Sequence, residues 1–362
     1  VITIARALSN ITSIDATTAA AIGAGGVGGG GSIELTASGS ITAGNLVGVT
    51  PSGSVSALKA KSTKNTIETS LSNRTYIGSK YLGSNKIIAL YMTASNILVA
   101  RVGTISGASI SFGSSQQVNS DAGTGTGVAY VSVVHDSNTG NVVFFWSVGS
   151  DSDKGYLRAA SISGTTLTFG SSVNVASNSA IFNGFLGWDP DTQRGLAVYS
   201  VSSTFKYSLF SLGGTGNRTI TLEQDNQGIS GNPRQDGGQM VYNTTDDKML
   251  IMFRNASTNS LNYICADIGS SSVTFGSLLT GSGSSENTSN STNFGITFIP
   301  TLNKVGYTFK NENNVLKAGL LSLSGTTITK NETILLDHGN VNDYSNMNIA
   351  AEPDGKCLIV FS

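Results

Sequence analysis

The chain has 362 residues, 44 of them glycine and only 12% charged, with a net charge of −1. Short, dense apolar tracts such as VVFFW (142–146) exclude a disordered chain. The absence of any basic run argues against nucleic acid, which needs clustered Lys and Arg. No apolar run reaches the roughly 20 residues of a membrane helix, so membrane insertion is not expected.

Residues 13–22, SIDATTAAAI, read as a short helix capped by Ser13 and ended by Gly23. The tract GAGGVGGGGS (23–32) follows as a flexible connector. Residues 1–43 therefore read as an N-terminal arm and 44–362 as the folded body. The chain begins at Val1, which suggests a processed or incomplete product.

From residue 44 the sequence is periodic. Apolar strands begin at Ile87, Val142, Leu196, Met249, Val305 and Cys357, at spacings of 55, 54, 53, 56 and 52 residues. Each follows a turn rich in Asp, Asn, Gly, Pro or Ser, such as HDSNTGN (135–141), DPDTQRG (189–195) and NTTDDK (243–248). Another apolar strand precedes each turn. A second recurring phrase, TISGASISFGSSQQV (104–118) and SISGTTLTFGSSVNV (161–175), reads as a tight turn at Gly164 joining the third and fourth strands. Four antiparallel strands in about 50 residues, repeated, predict an all-β fold built from β-propeller blades.

The last unit, 346–362, carries only two strands. NLVGVTPSGSVSALKAK (45–61) has the missing strand–turn–strand shape, with Gly53 lying 54 residues before Gly107. The expectation is a six-bladed β-propeller of four-stranded antiparallel blades. In it, 45–61 completes the blade begun by 346–362 and so removes the open edge.

Few residues rise above this scaffold. Glu68, Asp121, Glu223, Asp225, Asp337 and Asp343 are single carboxylates outside any motif, and glycoside chemistry needs a pair. Strand three carries Arg101, Arg158, Lys206 and Lys317, with Asn262 in the fifth unit. These read as a recurring solvated face rather than a cation ring. His135 and His338 lie about 200 residues apart, and no Cys/His cluster has zinc spacing. Cys265 and Cys357, each inside a strand-like run, read as two separate buried thiols. No catalytic, cofactor or metal residue is therefore expected.

Recognition is expected instead in four polar connections from strand four to the next strand one. These are 120–127 (Asp121, Thr124), 226–238 (Asn226, Gln235, Asp236), 281–292 (Asn287, Asn290) and 337–346 (His338, Asn342, Tyr344). They share one face of the ring, and variable loops on a rigid scaffold are where binding concentrates.

The phrases WDPDTQRGLAVYS (188–200), HDSNTGNVVFFWS (135–147) and SISGTTLTFGSSVNVAS (161–177) resemble repeats in tail-fibre and other virion proteins of bacteriophages. AGNLVGVTPSGSVSAL (43–58) also looks like a segment that precedes such repeats. The resemblance implies a non-enzymatic virion component on the particle surface, homo-oligomeric and without a cofactor. Its arm would hold other virion proteins, and its propeller would contact a host glycan or protein. The alternatives are a sialidase-like glycoside hydrolase and a bacterial surface adhesin. The turns HDSNTGN and DPDTQRG are only loose cousins of the sialidase repeat, and no three-arginine clamp is visible.

Overall fold

The computed structural model describes residues 47–49, 55–57 and 78–361, except 95–96, 107–108, 120–127, 149–151, 203, 232, 282–293, 312, 314, 336–346 and 352–356. The expected helix at 13–22 lies outside these residues. The chain divides into two compact units, Val1–Asn65 and Thr66–Ser362. In the first, β1 (Val47–Val49) pairs antiparallel with β2 (Val55–Ala57), Val47 opposite Ala57.

The second unit is a series of antiparallel sheets. Blade 1 comprises β3 (Gly78–Gly83), β4 (Lys86–Met92), β5 (Leu98–Ser106), β6 (Ser109–Phe112) and β7 (Gln116–Gln117). Blade 2 comprises β8 (Val128–His135), β9 (Val142–Val148), β10 (Lys154–Ser163) and β11 (Thr166–Phe169). The long β12 (Val173–Asp189) closes blade 2 at its start and opens blade 3 at its end, followed by β13 (Arg194–Val201), β14 (Thr204–Gly213) and β15 (Thr219–Gly228). Blade 4 comprises β16 (Pro233–Asn243), β17 (Lys248–Asn255), β18 (Leu261–Ile268), β19 (Val273–Phe275) and β20 (Leu279–Thr280). Blade 5 comprises β21 (Phe294–Ile299), β22 (Lys304–Lys310), β23 (Leu316–Ser324) and β24 (Thr327–Leu335). Two strands, β25 (Met347–Ala351) and β26 (Cys357–Phe361), end the chain.

The expected spacing of 52 to 56 residues is thus the strand-two period, and every predicted start falls within two residues of an observed one. All pairings are antiparallel, and no α-helix occurs among the described residues. The pairings of β1 with β2 and of β25 with β26 form separate two-stranded sheets. Among the described residues no hydrogen-bonded pairing closes the series of sheets, so the expected six-blade closure is not part of the observed pairing.

The second strands read as unbroken apolar runs because both of their faces are buried. Side chains alternate faces along a strand. In β9, Phe144 and Trp146 pack with Leu90 and Met92 of blade 1, while Val143 and Phe145 pack with Leu186 and Tyr199 of blade 3. Blades 3 and 4 meet through Val198, Phe205, Ile251 and Phe253, and blades 4 and 5 through Met252, Tyr263, Phe294 and Tyr307.

The recurring phrase has two physical reasons. Gly164 takes φ 62° at the first position of the two-residue turn between Ser163 and Thr166, a type II′ requirement. The glycine after the phenylalanine is where the next blade's turn backs onto strand four. A methyl group on Gly113, Gly170 or Gly276 would collide with Thr165, Arg218 or Thr326 respectively.

A second device recurs at the start of the second strand. Lys86 bonds the Gly164 carbonyl of the next blade. Asn141 donates to Gly216 and Asn217 carbonyls at 2.8 and 2.9 Å, and Arg194 to Ser270 at 2.8 Å. The polar residue that begins these strands is therefore a blade-to-blade latch.

The strand-three residues do not form one ring. Arg101 and Arg158 lie opposite Ala89 and Phe144, whereas Lys206, Asn262 and Lys317 lie opposite Tyr199, Phe253 and Phe309, two residues further toward the other end. Arg158 is buried. It donates to Gly170 O at 2.7 Å and to Val118 O of blade 1 at 2.6 Å, with its guanidinium 4.6 Å above the Phe169 ring. Arg158→Met should keep the packing but strand both carbonyls, costing about 1–3 kcal/mol in urea unfolding.

Candidate functional site

The turns joining strands one and two stack from blade to blade, and each six-residue turn repeats one plan. In blade 2 Asp136 accepts from Asn138 N at 3.0 Å and from the Thr139 hydroxyl. In blade 3 Asp189 accepts from Asp191 N at 2.9 Å and Thr192 N at 3.2 Å. In blade 4 Asn243 accepts from Thr245 N at 2.9 Å and Asp246 N at 3.1 Å. The residue before each of these is a polar aromatic (His135, Trp188, Tyr242), and Trp188 and Tyr242 reach the preceding blade. Trp188 Nε1 donates to Asp136 Oδ1 at 3.1 Å across the blade 2–3 junction. At the blade 4–5 junction Asn303 Nδ2 donates to Asp246 Oδ1 at 3.2 Å.

The blade 3–4 junction departs from this plan. Tyr242 directs its hydroxyl at Asp191 Oδ2, 3.0 Å away, and at Asp247 Oδ1. Asp189 is buried beside them, and one oxygen from each of Asp189, Asp191 and Asp247 lies within 4.8 Å of the others. A lock needs one carboxylate, but this one gathers three. Asp191 stands where the blade 2 turn has Asn138. Asp247, at φ 57°, takes the left-handed position filled by Gly140, Gln193 and Asn303 in the other turns.

One phenolic proton serves two carboxylates. Burial pushes the Tyr242 hydroxyl far above its ordinary value of 10.0, and its bonds to Asp247 and Asp191 add to the shift. Tyr242 therefore keeps its proton at neutral pH. The cluster thus sets three carboxylates and one phenol hydroxyl beside an open surface. Asp191 is exposed there, and the neighbouring Arg194 is engaged with Thr192 O and Gln193 O at 3.2 Å. The three carboxylate oxygens could also hold a hard cation such as Ca²⁺ or Mg²⁺.

Most of the residues expected to bind ligand cannot be placed relative to one another within the described residues. Asp121, Thr124, Asn287, Asn290, His338, Asn342 and Tyr344 lie outside the described residues. Gln235 and Asp236 are in β16. Asn226 is in β15, where its left-handed backbone (φ 54°) brings its N–H to the Tyr199 hydroxyl at 3.2 Å. The segment 226–238 is thus mostly strand rather than a loop, because β15 stays paired with β14 through bulges as far as Gly228. Asp225, read as a lone carboxylate, instead joins two blades. It accepts from Ser208 Oγ at 2.5 Å, from Ala176 N at 3.0 Å and from the Tyr199 hydroxyl at 3.4 Å. Tyr199 and Ser208 are fully buried, so this network is structural.

His135 ends β8. Burial is the main cause that lowers its pKa below 6.5; the Asp136 carboxylate offsets part of this and Lys80 adds to it. The unfolded chain thus binds more protons than the native one as pH falls through 6.5. Stability from this group is full above that value and is lost as pH drops toward the folded pKa. His135→Gln should flatten the melting temperature between about pH 5 and 7. An unchanged slope would contradict this.

Cys265 is buried and its thiol pushed up to about 12, first by burial, whereas Cys357 is exposed. The two are separate free thiols, but the expected burial holds for Cys265 alone, because Cys357 opens the terminal strand β26 with its side chain exposed.

No protein-family model matches the chain, and no curated protein does. Solved structures share its fold. A variant of the NanB sialidase from Streptococcus pneumoniae aligns with TM-score 0.55 and 10% identity over 80% of this chain and 65% of its own, so this chain spans just under two thirds of that protein. A candidate 6-phosphogluconolactonase from Bacteroides fragilis aligns with TM-score 0.53 and 12% identity over 80% and 77%. An arginine-to-alanine triple variant of AofleA from Arthrobotrys oligospora aligns with TM-score 0.51 and 11% identity over 78% of each chain. At such identity the likeness is one of fold.

The expectation of a non-enzymatic virion structural protein is corrected by this company, which includes a sialidase and a lactonase candidate. Its non-enzymatic part rested on finding no carboxylate in a motif. Asp191 and Asp247 are 56 residues apart in sequence and meet only when blades 3 and 4 stack.

Proposed function

We propose that the chain is a carbohydrate-directed hydrolase that cleaves a glycosidic bond at the blade 3–4 junction. The observation that carries the reading is the convergence of Asp189, Asp191 and Asp247 within 4.8 Å around the Tyr242 hydroxyl. Paired carboxylates separated by about 5 Å suit double displacement with retention, because that gap leaves no room for an attacking water between them. In this reading Asp191 attacks the anomeric carbon. Asp247, carrying a proton drawn from solvent, protonates the leaving oxygen, and its carboxylate then takes the proton of the water that displaces Asp191 from the sugar, while Tyr242 keeps its own proton and holds both carboxylates in place. Buried Asp189 holds the turn that carries Asp191.

Charge selects the substrate. Three carboxylates repel a carboxylated or phosphorylated sugar, and the nearest described arginine is already engaged. The substrate is therefore a neutral glycoside rather than a sialoside. The resemblance of the repeats to those of phage fibres supports a place on a particle surface, where such an enzyme would meet host glycan. The spacing of Gly53, Gly107 and Gly164 supports a sixth blade completed by 45–61.

The test is reducing-sugar release from a panel of neutral and acidic oligosaccharides. The reading predicts release from neutral members. Release from sialylated members alone would overturn the substrate assignment, and no release from any would overturn the function.

A further inference from the structure

The blade 3–4 interface carries a second feature, near the opposite end of β13 and β17 from the turns that hold the carboxylate cluster. Asn262 is 1% exposed, and neither its Oδ1 nor its Nδ2 has a hydrogen-bond partner among the protein groups. Ser200 is fully buried, and its Oγ likewise has none. The strand register places both on one interface. Ser200 sits opposite Phe205 in blade 3, and Asn262 sits opposite Phe253 in blade 4. Cross-strand partners share a face, and the Phe205 and Phe253 rings meet with centroids 4.6 Å apart. The two polar groups thus flank one aromatic contact between the sheets.

Blade 4 breaks the repeat here. The equivalent strand-three position is Lys206 in blade 3 and Lys317 in blade 5, both half-buried, whereas blade 4 has a buried amide. The packing is also tight. Gly231, at φ 129°, lies against the Phe253 ring, where a methyl group would collide. A buried amide and hydroxyl left unmet are costly, and native proteins seldom keep them without a partner.

We infer that Asn262 and Ser200 form an internal receptor site for a hydroxyl group, which can accept from the amide Nδ2 and donate to Oδ1. Its occupant is one O–H-bearing molecule, either an ordered water or a hydroxyl of a bound neutral sugar. Asn supplies one donor and one acceptor side, which matches an O–H and repels neither lone pair nor proton. Neither group carries a charge, so the pair favours a neutral hydroxyl over an ion.

The experiment compares wild type, Asn262→Leu and Ser200→Ala by thermal melting, with and without neutral monosaccharides. Leucine keeps the branched shape of Asn262 but replaces its amide with apolar methyl groups. If the amide is met by a hydroxyl, Asn262→Leu lowers the melting temperature by about 2–4 °C, and Ser200→Ala lowers it less. If the amide is unmet, Asn262→Leu raises the melting temperature, and the inference falls. The occupant is settled by the sugar arm. A sugar-dependent rise in wild type that Asn262→Leu abolishes assigns a sugar hydroxyl. A sugar-independent loss in Asn262→Leu assigns water, with a density peak about 2.7–3.2 Å from Asn262 in a crystal structure.

Discussion

Asp247→Asn lowers glycoside hydrolysis by about 10²–10⁴-fold, the usual contribution of a positioned acid or base. The variant keeps the size and the turn-forming capacity of Asp247, since Asn stands at the equivalent left-handed position in Asn303. It removes only the carboxylate that shares the Tyr242 proton. Melting should therefore stay within a few degrees of wild type while kcat falls. Tyr242→Phe should cost less than Asp247→Asn, because the carboxylate survives and loses only its hydrogen-bond partner. A rate unaffected by Asp247→Asn would remove the junction from the chemistry.

Phe253→Ala lowers stability by about 3–5 kcal/mol, the range for a buried aromatic truncated to alanine. Its ring is fully buried at the centre of the blade 3–4 interface, against Phe205 and beside Gly231. Backbone sheets on either side restrict collapse into the void, so the cost should fall near the top of the range. Phe253→Leu refills most of the space and should cost far less. Urea unfolding of the two variants checks this directly, and equal midpoints would contradict the packing.

The repeat was legible because the physics that sets it is local. Apolar runs after Asp/Asn turns mark strand two, and Gly164 marks the strand-three turn, since each requirement sits within a few neighbouring residues. The second strands could be placed to within two residues for the same reason. Both faces of β9 are buried, so the tract VVFFW is apolar throughout.

The carboxylate cluster was not legible as a site. Asp189 and Asp191 belong to one turn and Asp247 to another, and each reads as ordinary turn chemistry by itself. Aligning the turns column by column would have found it. Asp191 replaces Asn138, and Asp247 replaces a neutral residue at the left-handed position. The recurrence of cations on strand three misled in the opposite sense. Spacing counted from strand starts hid a two-residue offset that only the pairing register reveals. Lone carboxylates misled similarly, because Asp225 is held by three groups from two blades. The loop at 226–238 was read from its Gly, Asn and Asp content, but paired strands tolerate such residues where bulges re-aim them.

The most direct test of the account is a proton NMR time course of the purified chain with a neutral oligosaccharide that it cleaves, following the anomeric signals of the first product. The account predicts that the product appears first with the anomeric configuration of the substrate and that Asp191→Asn abolishes its formation. Inverted product would contradict the double displacement at closely spaced carboxylates. Undiminished hydrolysis by Asp191→Asn would place the chemistry elsewhere on the fold.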